Sequence, residues 1–226
     1  MLSMNFKKHG WITLAVVLWV WFPENILAQD FLDLRIPKFE VKEATMEDAL
    51  KKLLTWGVQV CLEKAPGVIN EGGRPITLKM RNASIRDILD ALTRDRGYYW
   101  ERYRSVLDSR ETNIINVLPL GAKEDKSNLM NIRSKMVKLD AEPFEAISYI
   151  KRFVPELRDE LMKKFPGGFV GSEIKVIGAP RMRRYYVHLI LEDVTVRQVL
   201  NEIALRSGGI CWIYVSHPSY QWKPFF

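Results

Sequence analysis

The sequence predicts an α+β protein built as two tandem small domains, each with two helices packed on short mixed β-sheets. Three observations predict this. An apolar leader stands apart from the rest of the chain, the remainder repeats one strand–helix pattern, and each clear helix of that pattern carries a single apolar stripe. Apolar content of 47% with 27% charged residues is enough for a real core and argues against wholesale disorder.

Residues 1–28 form the leader. Lys7 and Lys8 precede the run Trp11 to Phe22, apolar apart from Thr13; Pro23 ends it, and Ile26-Leu27-Ala28 offers a small residue for cleavage. This is the layout of a secretory signal peptide. The run falls short of the ~20 residues that span a bilayer, so cleavage is expected rather than anchoring. No cysteine follows it to accept a lipid. The expected location is therefore outside the cytoplasm. The whole chain carries a formal charge of +7, and loss of Lys7, Lys8 and Glu24 removes one net positive charge. Such a modest excess favours anionic neighbours without naming one.

The first domain is placed at 34–120. Thr45 opens a helix through Leu53, Val58 to Leu62 is a strand, and Ile76, Leu78 and Met80 alternate as a half-buried strand. Ser84 then caps a helix striped by Ile85, Ile88, Leu89 and Leu92; Gly97 ends it, and strands Tyr98 to Trp100 and Ile114 to Val117 follow. Residues 121–133 read as a polar linker. In the second domain, 134–217, Pro143 opens a helix that runs on to about Lys164. Val187, Leu189 and Leu191 alternate, Thr195 caps a helix striped by Val196, Val199, Leu200 and Ile203, and Ile210 to Val215 is a strand after Gly208. Residues 218–226 are an aromatic tail. The repeat aligns Ser84 with Thr195, Arg86 with Arg197, Leu89 with Leu200 and Gly97 with Gly208. Weaker copies, Ala44-Thr45-Met46 with Ala49-Leu50 and Leu139-Asp140-Ala141 with Ala146-Ile147, begin the two halves.

The run from Ile76 through Asn82-Ala83-Ser84 to Leu92, followed by Gly97-Tyr98-Tyr99-Trp100, resembles the secretin and TonB short N-terminal domain family. Ala49 to Leu54 with Gly57 to Val60 fits the same family's first helix and strand. The likeness covers nearly all of the first half, and in the second half Val187 to Val215. It implies a periplasmic module that makes protein contacts, with association to the outer membrane as a further expectation. With no barrel or pore segment after residue 217, it implies a free-standing adaptor. Its expected partners are envelope proteins: a secretin, a TonB-dependent receptor or a regulatory component, with self-association through stacked copies. No cofactor, metal or nucleic acid is expected.

Reactive chemistry finds little footing. His188 and His217 have no ligand or triad partner at motif spacing. The carboxylate pairs Glu47/Asp48, Asp87/Asp90 and Asp159/Glu160 read as solvated helix charge complementing the helix dipole. Gly168-Phe169-Val170-Gly171 imitates the loop of RNA-binding KH modules, but in an exported chain it reads as a loop closing a helix on a strand. No enzyme is expected. The best contact candidates are arginines beside aromatic residues: Arg94, Arg96, Tyr98, Trp100 and Arg102, and the cluster Arg181, Arg183 and Arg184. Cys61 and Cys211, in different domains, read as buried thiols, with a disulfide as the alternative an oxidising compartment permits. A rival for the whole chain is a carrier or sensor holding a small ligand in an apolar cleft between its halves.

Overall fold

The computed structural model describes residues 30–64, 75–164, 172–177 and 186–216. The leader, the tail, the 168–171 loop, His217 and the arginines 181, 183 and 184 lie outside the described residues.

The chain is mixed α+β. A 3-10 turn, Phe31–Asp33, leads into β1 (Arg35–Ala44), α1 (Met46–Leu54), β2 (Gln59–Lys64), β3 (Ile76–Ser84), α2 (Ile85–Thr93), β4 (Tyr98–Arg104) and β5 (Glu111–Pro119). A second 3-10 turn, Leu129–Asn131, leads into β6 (Arg133–Ala141), the helices α3 (Pro143–Ser148), α4 (Ile150–Phe153) and α5 (Pro155–Lys164), then β7 (Ser172–Ile177), β8 (Val187–Thr195), α6 (Val196–Ser207) and β9 (Cys211–Ser216). The helix expected to run unbroken to Lys164 is three short pieces. Tyr149 leaves the helical region at φ −116°, and Pro155, which lacks an amide hydrogen, starts the third piece.

Local chemistry sets the helix starts. Thr45, Ser84 and Thr195 each accept an amide hydrogen of the first turn, and the last two form full capping boxes with Asp87 and Gln198. Two residues before each of these caps, Glu43, Asn82 and Asp193 all sit at φ 49°. Asn and Asp tolerate that left-handed conformation best among residues with a Cβ. In both halves an arginine at the head of the first strand secures this corner: Arg35 donates to the Asn82 carbonyl at 2.6 Å and Arg133 to that of Asp193 at 2.7 Å. The amides of Ile85 and Val196 then donate to the carbonyls of Leu34 and Ile132, each at 3.0 Å. Gly208 closes α6 at φ 69°, where a Cβ would be strained.

The halves do not end at a spacer. β1 pairs antiparallel with β3 and β6 with β8, but the remaining strands form one five-stranded sheet in the order β4-β5-β2-β9-β7. β2 from the first half runs parallel to β9 from the second, with Leu62 opposite Ile213. Alternation along the central strands then sends side chains to two cores. Val60, Leu62, Ile115, Val117 and Ile213 join α1 and α2, whereas Cys61, Ile114, Trp212 and Tyr214 join α6. Because β5 and β2 are covered on both faces, Ile114 to Leu118 is one continuous buried run. Within 121–133, Leu129 and Met130 are buried and Asn128 donates to Glu63 at 3.0 Å, so this segment packs on the sheet.

Candidate contact surface

The expected contact residues of the first half gather around β4, an edge strand. Tyr98, Trp100 and Arg102 lie on its α2 side, where Tyr98 and Trp100 pack against the first core. The Trp100 indole donates to Asp90 of α2 at 2.7 Å, and the Arg86 guanidinium sits 6.0 Å from the centre of its ring. Arg102 is held in a fork: it donates to Asp30 at 2.9 Å and to Glu111 at 3.0 Å. Arg96 turns back on α2, donating to the carbonyls of Ala91 at 3.3 Å and Arg94 at 3.1 Å, where a cation suits the helix C-terminus. Arg94 is exposed. The set is therefore a rigid, charge-balanced surface rather than a bare cationic patch.

The backbone of β4 sets the geometry of this surface. β4 pairs with β5 alone among the described residues. Leu120 donates to the Gly97 carbonyl at 2.8 Å, which fixes the alternation of the antiparallel ladder. Tyr98, Trp100 and Arg102 thus direct their amide and carbonyl groups outward, away from β5. A strand edge that no other strand pairs among the described residues is a template for another strand.

The repeat gives this edge a counterpart. Gly97 aligns with Gly208, so β4 corresponds to β9, and by order β2 corresponds to β7. The side of β9 away from β7 is occupied by β2. The equivalent side of β4 carries no strand among the described residues.

The filled joint is closed by buried polar groups that motif reading missed. Arg197, the counterpart of Arg86, forms an ion pair with Glu63, and their side chains are 7% and 2% exposed. Glu202 accepts from the Tyr103 hydroxyl at 2.8 Å and the Val106 amide at 2.9 Å, and pairs with Arg206. Gln59 reaches across to the carbonyls of Ala204 at 3.2 Å and Ile210 at 3.3 Å, and Trp212 donates to Asn201 at 3.1 Å. Burial, followed by the charge of Glu202, pushes the Tyr103 phenol far above its usual range, and burial pushes Tyr99 up to about 12. Both stay neutral at neutral pH. These groups and Trp212 occupy the place where a carrier would keep an apolar cleft. A hollow of about 450 Å³ beside α5 is walled mainly by charged side chains, including Lys126, Glu156, Asp159 and Lys163.

One sequence expectation is corrected here. Cys61 and Cys211 do not sit in separate units; they belong to neighbouring strands and one core, because β2 and β9 pair across the halves. His188 lies 3.0 Å from Asp140, which opposes it across the β6–β8 ladder rather than at any motif spacing. Both are well exposed, at 71% and 69%, so the pair lies on a solvated ribbon. The paired carboxylates are engaged locally: Asp48 and Asp87 at helix starts, Asp90 with Trp100, Glu47 with Lys51 and Lys64, Asp159 with Arg158 and Glu160 with Lys163. Among the described residues no group of three or more His, Cys, Asp or Glu could hold a metal ion, and no helix is long and apolar enough to cross a membrane. Compared with known proteins, the chain matches no family model, no curated protein and no solved structure.

Proposed function

We propose that this chain is a non-enzymatic interaction module of the cell envelope, an adaptor in a secretion or outer-membrane transport system. In this reading it is exported by its leader, and its two halves are tandem copies of a unit like the secretin and TonB short N-terminal domain. It acts by lending the outer edge of β4 to a strand of a partner protein. The observation that carries the reading is internal. The corresponding edge of β9 already takes a strand, β2, from the other half. Main-chain hydrogen bonds supply affinity in such strand addition, and the flanking side chains supply selectivity. Here Trp100, Tyr98, Arg94 and the Arg102 fork flank the edge.

Site-specific photocrosslinking in the native envelope tests this. A photoreactive residue at Tyr98 or Arg104 should trap a discrete envelope protein, whereas the same probe at exposed Lys79 on β3 should not. Equal adducts at all three positions, or none at β4, would remove the assignment.

A further inference from the structure

The strand pair that joins the halves also brings together the chain's two cysteines, 150 residues apart in sequence. Cys61 precedes Leu62 by one residue and Cys211 precedes Ile213 by two, and Leu62 and Ile213 face each other in the parallel β2–β9 ladder. Neighbouring strands lie ~4.8 Å apart. A one-residue stagger keeps the two Cα atoms within the ~4.4–6.8 Å that a disulfide spans. Both side chains are fully buried in the same core, with the Cys211 thiol beside Cys61. The repeat does not demand a thiol here, because the counterpart of Cys211 is Trp100.

We infer that Cys61 and Cys211 are a disulfide-forming pair that staples β9 to β2 when the chain folds in an oxidising compartment. The compartment rests on the export reading above; the pairing rests on the fold. The oxidant is a disulfide donor of the thiol-oxidoreductase or glutathione class. One cysteine thiolate displaces a sulfur of the donor disulfide, releasing a donor thiol and leaving a mixed disulfide. The second cysteine then displaces the remaining donor sulfur. The two cysteines lose two protons and two electrons, and the donor ends as two thiols.

Timing follows from burial. The hydrogen bond to Cys61 and the buried setting push the Cys211 thiol well above its ordinary range. Thiolate is the attacking species, so Cys211 in the closed core reacts slowly, and burial shields Cys61 from a donor. The bond therefore forms while β9 is docking, and once folded the reduced protein keeps its thiols out of reach.

The test compares the full chain purified from cells without reductant and the same chain refolded from denaturant in a mixture of oxidised and reduced glutathione. After denaturation, each sample is treated with a maleimide-polyethylene glycol reagent. The expected refolded sample takes no label until it is first reduced, then takes two, and peptide mapping joins Cys61 to Cys211. Its denaturation midpoint falls on reduction, and the midpoint of Cys61→Ser does not respond to reductant. A monomer that takes two labels without reduction after refolding, or cysteines bridging different chains, overturns the pairing. A refolded chain that bridges beside a cellular protein that is reduced and still carries residues 1–28 supports the pairing and defeats export instead.

Discussion

The two halves start from the same local sequence and end in different surroundings, which is clearest at Arg86 and Arg197. Both follow a capped helix start by one residue. Arg86 lies on an open surface near Asp30 and Asp33, at 3.5 and 3.4 Å, with its side chain 42% exposed. Arg197 is buried against Glu63 because the second half leans its α6 on a sheet that the first half largely supplies. Arg197 sits at a joint between strands of the two halves, whereas beside Arg86 the outer edge of β4 carries no strand among the described residues. The difference teaches that one local sequence pattern leads to a buried ion pair in one setting and an exposed one in the other.

Removing each arginine in turn is the strongest way to break that comparison. Arg197→Ala leaves Glu63 buried and opposite no cation, which should cost about 3–5 kcal/mol. Arg86→Ala removes only an exposed pair and should cost under about 1 kcal/mol. Chemical denaturation of both variants reads the contrast directly; similar losses would mean that the two environments are not distinct in solution.

Caps should behave alike where the arginines do not. Ser84→Ala and Thr195→Ala each remove one side of a capping box, and each should lower stability by about 1 kcal/mol. A large disparity in thermal unfolding between them would show that the second cap is coupled to the joint.

The smallest expected effect is the share of the acid dependence that Glu47 supplies. Glu47 is partly buried, which opposes its charge, but hydrogen bonds from Lys51 at 2.8 Å and Lys64 at 2.7 Å outweigh this and hold its carboxyl below the usual range. A depressed carboxyl contributes stability that is complete above its unfolded value and is lost as the pH falls through the folded one. Its counterpart in the second half, in the Pro143-Phe144-Glu145 start, is the exposed Phe144. Glu47→Gln should therefore flatten the acid limb of the stability profile, while Phe144→Ala leaves that limb unchanged.

Much of this architecture was legible because it is written locally. Hydroxyls at Thr45, Ser84 and Thr195, the stripes of α2 and α6, and the alternation in β3 and β8 all act within a few residues of themselves, and the structure places them as their chemistry dictates. The left-handed corner at Asn82 and Asp193 had a signal too, in the residue types that tolerate it, although it went unread. What had no local signature was the β2–β9 pairing. Nothing near Val60 or Ile213 distinguishes a strand that will meet a neighbour from the other half. For the same reason the burial of Arg197 could not be told from the exposure of Arg86, and β4 could be proposed as aromatic and basic but not as the end of a sheet.

Sharing one sheet also governs what a protease could do to this protein. A nick in the turn at 121–127 would not release two self-sufficient pieces. The N-terminal fragment would bare the edge of β2, and the C-terminal fragment would bring Trp212 and the charge of Arg197 into water. Each piece would hold the missing surface of the other, so the cleaved chain should stay together even with Cys61 and Cys211 reduced, and separately produced fragments should find one another again on mixing.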